Sequence, residues 1–282
     1  MMFDWLMEPL SYEFMLRALL AATFVGVVSA VLGTYIVIRG MAFFGDAVAH
    51  TILPGVVLAF LGGWPLALGA LVTAVLTAIG IGALTSRGTL KEDTAIGVVF
   101  AGFFALGVVM LSTTGNYTVD LAHFLFGNLL GVSRNDLWLI GIFGAVVLLT
   151  IFLFYKELLV MTFDPVLAVT LRLPTTFLRY LLLVLIAITI VISLQVVGIA
   201  LMMAMLVTPA ATASLLTRRL PAMMAVAAAI GAGSGVVGLY LSYYLNIASG
   251  PTVVLVASLI FVLVFLISPR KGAIRSRVSV TK

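Results

Sequence analysis

The sequence predicts an all-α fold, a polytopic bundle of helices that each cross a membrane. Of its 282 residues, 63% are hydrophobic and only 9% are charged, whereas soluble globular domains carry roughly a quarter charged residues. Eight or nine spans of about 20 residues leave roughly 100 residues for loops and tails, so no soluble catalytic domain fits. The sequence contains no cysteine, which excludes disulfides and thiolate metal sites. We therefore expect a single transmembrane domain over 1–282.

Nine apolar stretches, separated by charged residues or by Gly and Pro, are the candidate spans. The first has neither a preceding basic segment nor a small-residue cleavage motif, which predicts a retained span and not a signal peptide. Two separators are short, Gly62 to Pro65 and Gln195 to Gly198, and a re-entrant helix at either one would lower the count to eight. The stretches run over about 14–38, 44–62, 65–86, 94–113, 136–155, 178–196, 198–216, 221–245 and 251–268.

Positive charges are distributed unevenly between the two sides of this series of spans. Of the 15 Lys and Arg residues, only Arg17 and Arg134 fall on one side, and the other 13 fall together. Because short cytoplasmic loops are enriched in Lys and Arg, the larger group predicts the cytoplasmic side. With nine spans, the C-terminus is then cytoplasmic and the N-terminus is outside. We interpret the basic tail after Pro269 as an anchor on lipid headgroups, without nucleic acid as a partner.

The long cytoplasmic loop, about 156–178, contains a predicted short helix. Asp164 is suited to cap its N-terminus, Pro165 to occupy its first position and Pro174 to end it. A capped helix in this loop could transmit a rigid-body movement to the spans. The alternative is an amphipathic helix that rests on lipid.

The long external loop, about 114–135, contains Asp120 and His123 at i, i+3 spacing. One interpretation is an outer gate in front of the spans. The other is a helix cap beside a solvated histidine. The sequence does not decide between the two.

The second span contains the strongest candidate site. Asp46 lies inside a predicted span, whereas the other nine carboxylates lie in loops, in tails or at span ends. His50, one of only two histidines, follows Asp46 at i+4. That spacing puts both side chains on one helix face, and an ionisable group within a span marks a functional site by default. A polar pair that seals a helix interface is the alternative. Oxygen and imidazole ligands suit manganese, iron or zinc, so we predict that the pair binds a divalent transition metal.

One Asp–His pair supplies two ligands, whereas a transition metal takes about four to six. A twofold-symmetric dimer would bring a second Asp46 and a second His50 to its axis. We therefore expect a homodimer whose axis carries the site of an exchangeable metal, without a permanently bound cofactor.

The residues around this pair resemble the membrane permeases of zinc- and manganese-type ABC importers. Arg39 followed by Gly45 to Gly62, with the sequence GDAVAHTILPGVVLAFLG, carries the resemblance. Other segments extend it over almost the whole chain: Glu92–Gly97, Asp120–Gly127, Asp164–Pro165, Leu206–Thr212 and Leu239–Tyr244.

This resemblance implies an ABC importer permease fold in the cytoplasmic membrane and a homodimeric permease that is not itself an enzyme. It also implies an extracellular protein that delivers the metal and separate cytoplasmic subunits that hydrolyse ATP. Manganese is favoured over zinc and iron, because the segment from Glu92 to Gly97 looks more like the manganese and iron branch than the zinc branch.

The resemblance also assigns roles to particular residues. Asp46 and His50 are similar to the family's in-pathway metal ligands. The segment at about 157–177 is similar to the family's ATPase-coupling segment. Its candidate coupling residues are Asp164, Pro165, Ala168 and Arg172.

Two other functional classes are weighed against this interpretation. An ion-coupled secondary metal transporter would need several intramembrane acids or broken helices around an ion site, and this chain offers one such acid. An intramembrane hydrolase would need a paired nucleophile and base, which the chain lacks. The sequence Gly233 to Gly238 matches the GxGxxG pattern of nucleotide-binding loops, but it lies within a predicted span without a preceding strand. We interpret it as small-residue helix packing.

Overall fold

The computed structural model describes residues 7–86, 90–113 and 129–268. All regular elements within these ranges are helices, and nine segments among them are long and apolar enough to cross a membrane. The predicted all-α fold is therefore confirmed, with the larger of the two predicted span counts.

The helices begin and end within a few residues of the predicted stretches. Two short 3-10 helices, Pro9–Ser11 and Leu129–Gly131, precede the first and fifth spans. The α-helices are α1 (Glu13–Arg39), α2 (Phe44–Thr51), α3 (Leu53–Leu61), α4 (Leu66–Ser86), α5 (Glu92–Ser112), α6 (Arg134–Leu153), α7 (Tyr155–Phe163), α8 (Pro165–Thr170), α9 (Thr175–Leu216), α10 (Leu220–Leu245) and α11 (Ser249–Ile267).

The sixth and seventh spans are two helical segments within α9 that meet at a sharp kink. Gly198 has φ 76° and ψ 170°, a backbone conformation that glycine adopts without steric cost and other residues avoid. The kink lies at the end of the predicted separator from Gln195 to Gly198. The two spans are Thr175–Leu194, which ends before the kink, and Val197–Leu216, which begins at it. Each has 20 apolar-rich residues and is long enough to span.

The described residues form two compact units. The first takes its residues from 1–37, 127–141 and 196–282, and the second from 38–126 and 142–195. The prediction of a single transmembrane domain over 1–282 stays a prediction.

In the first unit, α1 and α10 cross through small residues. A Cβ added at Gly26 would lie 2.9 Å from the backbone of Gly231, and one added at Gly235 would lie 3.2 Å from the Cβ of Ala22. Close backbone approach of this kind is how membrane helices associate without a hydrophobic driving force. The GxGxxG sequence thus lies within a helix and packs against other helices, as we predicted.

In the second unit, the second span has more buried residues than its neighbour α5. The span Phe44–Gly62 is 72% buried, whereas Glu92–Ser112 is only 17% buried. Phe44, Val48, Ile52 and Val56, spaced four residues apart, are fully buried. The candidate metal pair therefore lies on a helix that the rest of the protein surrounds on most sides.

Candidate metal site

The second span is interrupted at Ile52, between α2 and α3. Pro54 has no N–H group and cannot donate a hydrogen bond to the carbonyl of His50, four residues earlier. Helical hydrogen bonding resumes where the Val56 N–H donates to the Ile52 carbonyl at 3.0 Å. The sequence predicted an uninterrupted helix over 44–62, so the break two residues after His50 is a feature that the prediction missed.

Three buried threonines surround this break. The Thr77 hydroxyl on α4 donates to the Thr51 hydroxyl at 2.9 Å, and the Thr73 hydroxyl lies 3.3 Å from the Ile52 carbonyl. These contacts satisfy polar groups that would otherwise be costly to bury in an apolar region. The i, i+4 spacing of Thr73 and Thr77, which puts both hydroxyls on one face of α4, is the sequence signal that could have indicated these contacts.

Asp46 and His50 face each other on α2. The distance from Asp46 Oδ1 to His50 Nε2 is 3.5 Å, and the two side chains are 35% and 37% exposed. Their predicted position on one helix face is therefore what the structure has. A carboxylate oxygen and an imidazole nitrogen at this separation can bind the same cation, with one side of each group still open.

The part of the chain that the structure describes offers no third ligand close to the pair. Among the described residues, no group of three or more His, Cys, Asp or Glu side chains could hold a metal ion. A single copy therefore offers two ligands from this region.

Aromatic side chains from α5 lie against His50. The imidazole meets the rings of Phe100 and Phe104 edge to face, with centroid distances of 6.0 and 5.8 Å. The two phenylalanine rings stack on each other at 5.7 Å, and Phe43, just before α2, packs on Phe100 at 5.8 Å. Sequence reasoning missed this aromatic cluster, although the i, i+4 spacing of Phe100 and Phe104 puts both on one face of α5.

An ion pair joins the start of α5 to the residue at the end of α1. An Nη2 hydrogen bond links Arg39 to the Glu92 carboxylate, and the arginine side chain is only 11% exposed. The other terminal nitrogen, Nη1, is buried and has no hydrogen-bond partner in the described part of the chain. The carboxylate of Glu92 is therefore the group that compensates this guanidinium charge.

The predicted coupling segment contains the two short helices α7 and α8. Asp164 Oδ1 accepts a hydrogen bond from the Leu167 N–H at 2.9 Å, and Pro165 occupies the first position of α8. The predicted N-terminus is therefore correct. The helix ends at Thr170, earlier than expected, because Arg172 adopts the left-handed conformation with φ 54° and the Leu173 N–H returns to the Ala168 carbonyl at 3.0 Å. This is a Schellman turn with arginine in place of the usual glycine.

The exposed surface of α8 is apolar. Val166 and Val169 are 76% and 64% exposed, and Leu171 after the helix is also exposed, whereas Ala168 is completely buried. A helix outside the spans that presents valines outward is unusual for a solvated loop. Ala168 anchors α8 while its neighbours remain available for contact.

Two sets of predicted residues lie outside the part of the chain that the structure describes. Asp120 and His123, the candidate outer gate, fall in the undescribed range 114–128, as does the basic tail after Ser268 in 269–282. Their predicted roles stay predictions.

The family model described as ABC 3 transport family matches residues 11–268. A protein of Halalkalibacterium halodurans named manganese transport system membrane protein MntC is 48% identical over 267 residues, which cover 95% of this chain and 91% of that protein. A Haemophilus influenzae protein named probable iron transport system membrane protein is 42% identical over 262 residues, which cover 93% of this chain and 96% of that protein.

A solved structure has a similar fold over nearly the full length. The structure described as PsaBC from Streptococcus pneumoniae in complex with Fab superposes with a TM-score of 0.83 and 36% sequence identity. The match covers 98% of this chain and 100% of the chain in that structure.

Proposed function

The chain belongs to the ABC 3 transport family, and we propose that it is the membrane permease of an ATP-driven importer of a divalent transition metal. Manganese is the favoured ion, because similar proteins are named for manganese transport, and iron is the next candidate on the same ground. The observation that carries the proposal is the Asp46–His50 pair, whose side chains are each about a third exposed on an otherwise apolar span.

The pair would hold the metal between the carboxylate oxygen and the imidazole nitrogen. To bind the metal, the imidazole must be neutral and the carboxylate ionised. Two ligands from one copy are too few for a transition metal, which takes about four to six. We infer that a second copy, related by a twofold axis, supplies another Asp46 and another His50. One manganese ion bound per two chains would support this homodimer, whereas one ion per chain would contradict it.

The location of the pair along the span follows from helix geometry. His50 is six residues from Phe44, the first residue of α2, which corresponds to about 9 Å along the helix axis. By the distribution of Lys and Arg, this end of the span is cytoplasmic, so the pair would lie in the inner half of the membrane. A reporter fused after Lys282 should be cytoplasmic, and periplasmic alkaline phosphatase activity from that fusion would overturn this orientation.

The segment with α7 and α8 would contact the ATPase. Its exposed valines, on a helix that Asp164 caps and Ala168 anchors, suit burial against a partner protein. A helix resting on lipid would have a similar apolar face. The two alternatives differ in whether substitutions in α8 release the ATPase. An extracellular metal-binding protein is the expected source of the ion, and Asp120 and His123 would receive it if they form the outer gate.

The most informative experiment is ATPase turnover in the complex reconstituted with its ATPase and its binding protein, measured with manganese, iron and zinc. We expect manganese to stimulate ATP hydrolysis and ATP to be necessary for uptake into vesicles. A proton ionophore is added in parallel to test for ion coupling. Uptake that continues without ATP hydrolysis and stops with the ionophore would favour an ion-coupled secondary transporter.

A further inference from the structure

Among the residues that the structure describes, none accepts from the His50 ring the hydrogen bond that normally orients a metal-binding histidine. Such histidines usually donate their second ring N–H to a carboxylate, a carbonyl or a water, which fixes the ring. Within the described ranges, the one polar side chain found against the His50 imidazole is Asp46, and its carboxylate is itself a candidate ligand. Packing against neighbouring side chains is a second way to restrict the orientation of such a ring.

The rings of Phe100 and Phe104 are in the right place to do so. Both meet the imidazole edge to face, at interplanar angles of 65° and 77°, which is a preferred arrangement of aromatic pairs. Neither ring binds metal or donates a hydrogen bond, so both can restrict the imidazole without competing with it for the ion.

The Arg39–Glu92 ion pair joins the start of α5 to the segment that precedes α2. Glu92, Ile96, Phe100 and Phe104 follow one another every four residues along α5, and Ile96 is fully buried. Arg39 lies only five residues before the first residue of α2, so its bond to Glu92 ties the start of α5 to the start of the helix that carries Asp46 and His50.

We propose that Phe100 and Phe104 are positioning residues for His50, and that the Arg39–Glu92 ion pair holds α5 where these two rings contact the imidazole. This inference rests on the proposed function, because it assumes that His50 binds the transported ion. It assigns to α5 a role in metal affinity although α5 contributes no ligand.

The test measures manganese affinity in the full-length permease purified with its ATPase. Phe104→Leu and Phe100→Leu keep an apolar side chain but remove the ring, and each should weaken manganese binding by about 10-fold, the smaller end of the effects seen when outer-shell partners of metal ligands are removed. Phe104→Tyr keeps the ring and should bind manganese with an affinity close to that of the wild type. Phe103→Leu is the matched control, because Phe103 is on the same helix but makes no ring contact with His50 in the described structure, and it should bind within about twofold of the wild type.

The ion pair is tested in the same assay. Glu92→Gln should weaken manganese binding in the same direction as Phe104→Leu, and the exchange Arg39→Glu with Glu92→Arg should restore part of the loss. Thermal unfolding of every variant is recorded, so that a loss of affinity with unchanged unfolding temperature separates positioning from general destabilisation.

The outcomes distinguish this inference from the proposed function. If His50→Ala abolishes binding while Phe100→Leu and Phe104→Leu bind like the wild type, the positioning role is wrong and the metal site stands. An equal loss in Phe103→Leu would also overturn the positioning role. If His50→Ala itself binds manganese like the wild type, the proposed metal site is wrong and the inference falls with it.

Discussion

Two regions of this molecule have polarity opposite to that of their surroundings. The second span carries a carboxylate and an imidazole, each about a third exposed, although a segment surrounded by lipid and other helices normally has apolar side chains. The segment after the fifth span does the reverse, since α8 lies outside the candidate spans and exposes Val166 and Val169. In each region a local rule of sequence and structure is broken, and such violations concentrate at functional sites.

The difference between the two regions indicates what each one binds. A polar pair in a span is costly unless a partner compensates it, and a cation is such a partner. Apolar side chains on a short capped helix lose contact with water when a protein surface covers them. We therefore propose that the first region binds the cargo and the second the ATPase, and changes in one should then leave the function of the other intact.

The largest effect is expected from the polar pair. Asp46→Ala or His50→Ala should abolish metal uptake in a strain without other importers, since the loss of a direct ligand should exceed the 10–100-fold effect of outer-shell changes, that is, about 100-fold or more. The measurement is uptake of radioactive manganese by whole cells. Asp93→Ala, an exposed carboxylate in the first turn of α5, is the control and should transport normally.

Both uptake variants should still insert in the membrane, because removal of an ionisable group from a span makes insertion easier. Normal uptake by the double variant, present at the wild-type level, would show that the pair serves only to seal a helix interface.

A smaller loss is expected from Ala168→Pro in α8. The Ala168 N–H donates to the Asp164 carbonyl at 3.0 Å, and an interior proline removes that bond and costs a helix about 3 kcal/mol. Transport and co-purification of the ATPase should both fall, whereas manganese binding should not change. Ala168→Ser keeps the N–H and a small side chain, so it should behave like the wild type. Full ATPase association by Ala168→Pro would indicate a helix that rests on lipid.

The smallest effect is expected at Arg172, where charge and backbone can be separated. Arg172→Glu should weaken ATPase association, because the reversed charge opposes a complementary surface. Arg172→Gly removes the charge but suits φ 54°, a conformation that costs an ordinary residue about 1 kcal/mol or more. It should therefore make the 155–174 segment more resistant to chymotrypsin. If the glycine variant releases as much ATPase as the glutamate variant, loss of the positive charge is sufficient and repulsion plays no part.

Much of the fold could be predicted from composition and local chemistry. Apolar length determined the spans, Asp164 and Pro165 determined the start of α8, and the i, i+4 spacing placed Asp46 and His50 on one face. Each of these features depends on residues close in sequence, which is why one sequence was enough. The early end of α8 at Arg172 was missed, because arginine rarely adopts the left-handed conformation and Pro174 offered a more obvious stop.

The contacts around the metal pair could not be predicted in the same way. The packing of Phe100 and Phe104 on His50, the Thr51–Thr77 hydrogen bond and the Arg39–Glu92 ion pair join residues that are 26 to 54 apart in the chain. Helix periodicity gives the face on which a residue lies but not the neighbouring helix that meets it. The interruption at Ile52 could have been predicted from Pro54. It was not, because an apolar run that continues past a proline is still interpreted as one membrane span.

The division of roles between the two regions is tested most directly by one experiment on three purified proteins. Bound manganese and co-purified ATPase are measured together for the wild type, His50→Ala and Ala168→Pro. We predict that His50→Ala loses the metal and keeps the ATPase, and that Ala168→Pro keeps the metal and loses the ATPase. Loss of both partners in both variants, or loss of neither, would contradict the assignment of cargo and ATPase to separate regions.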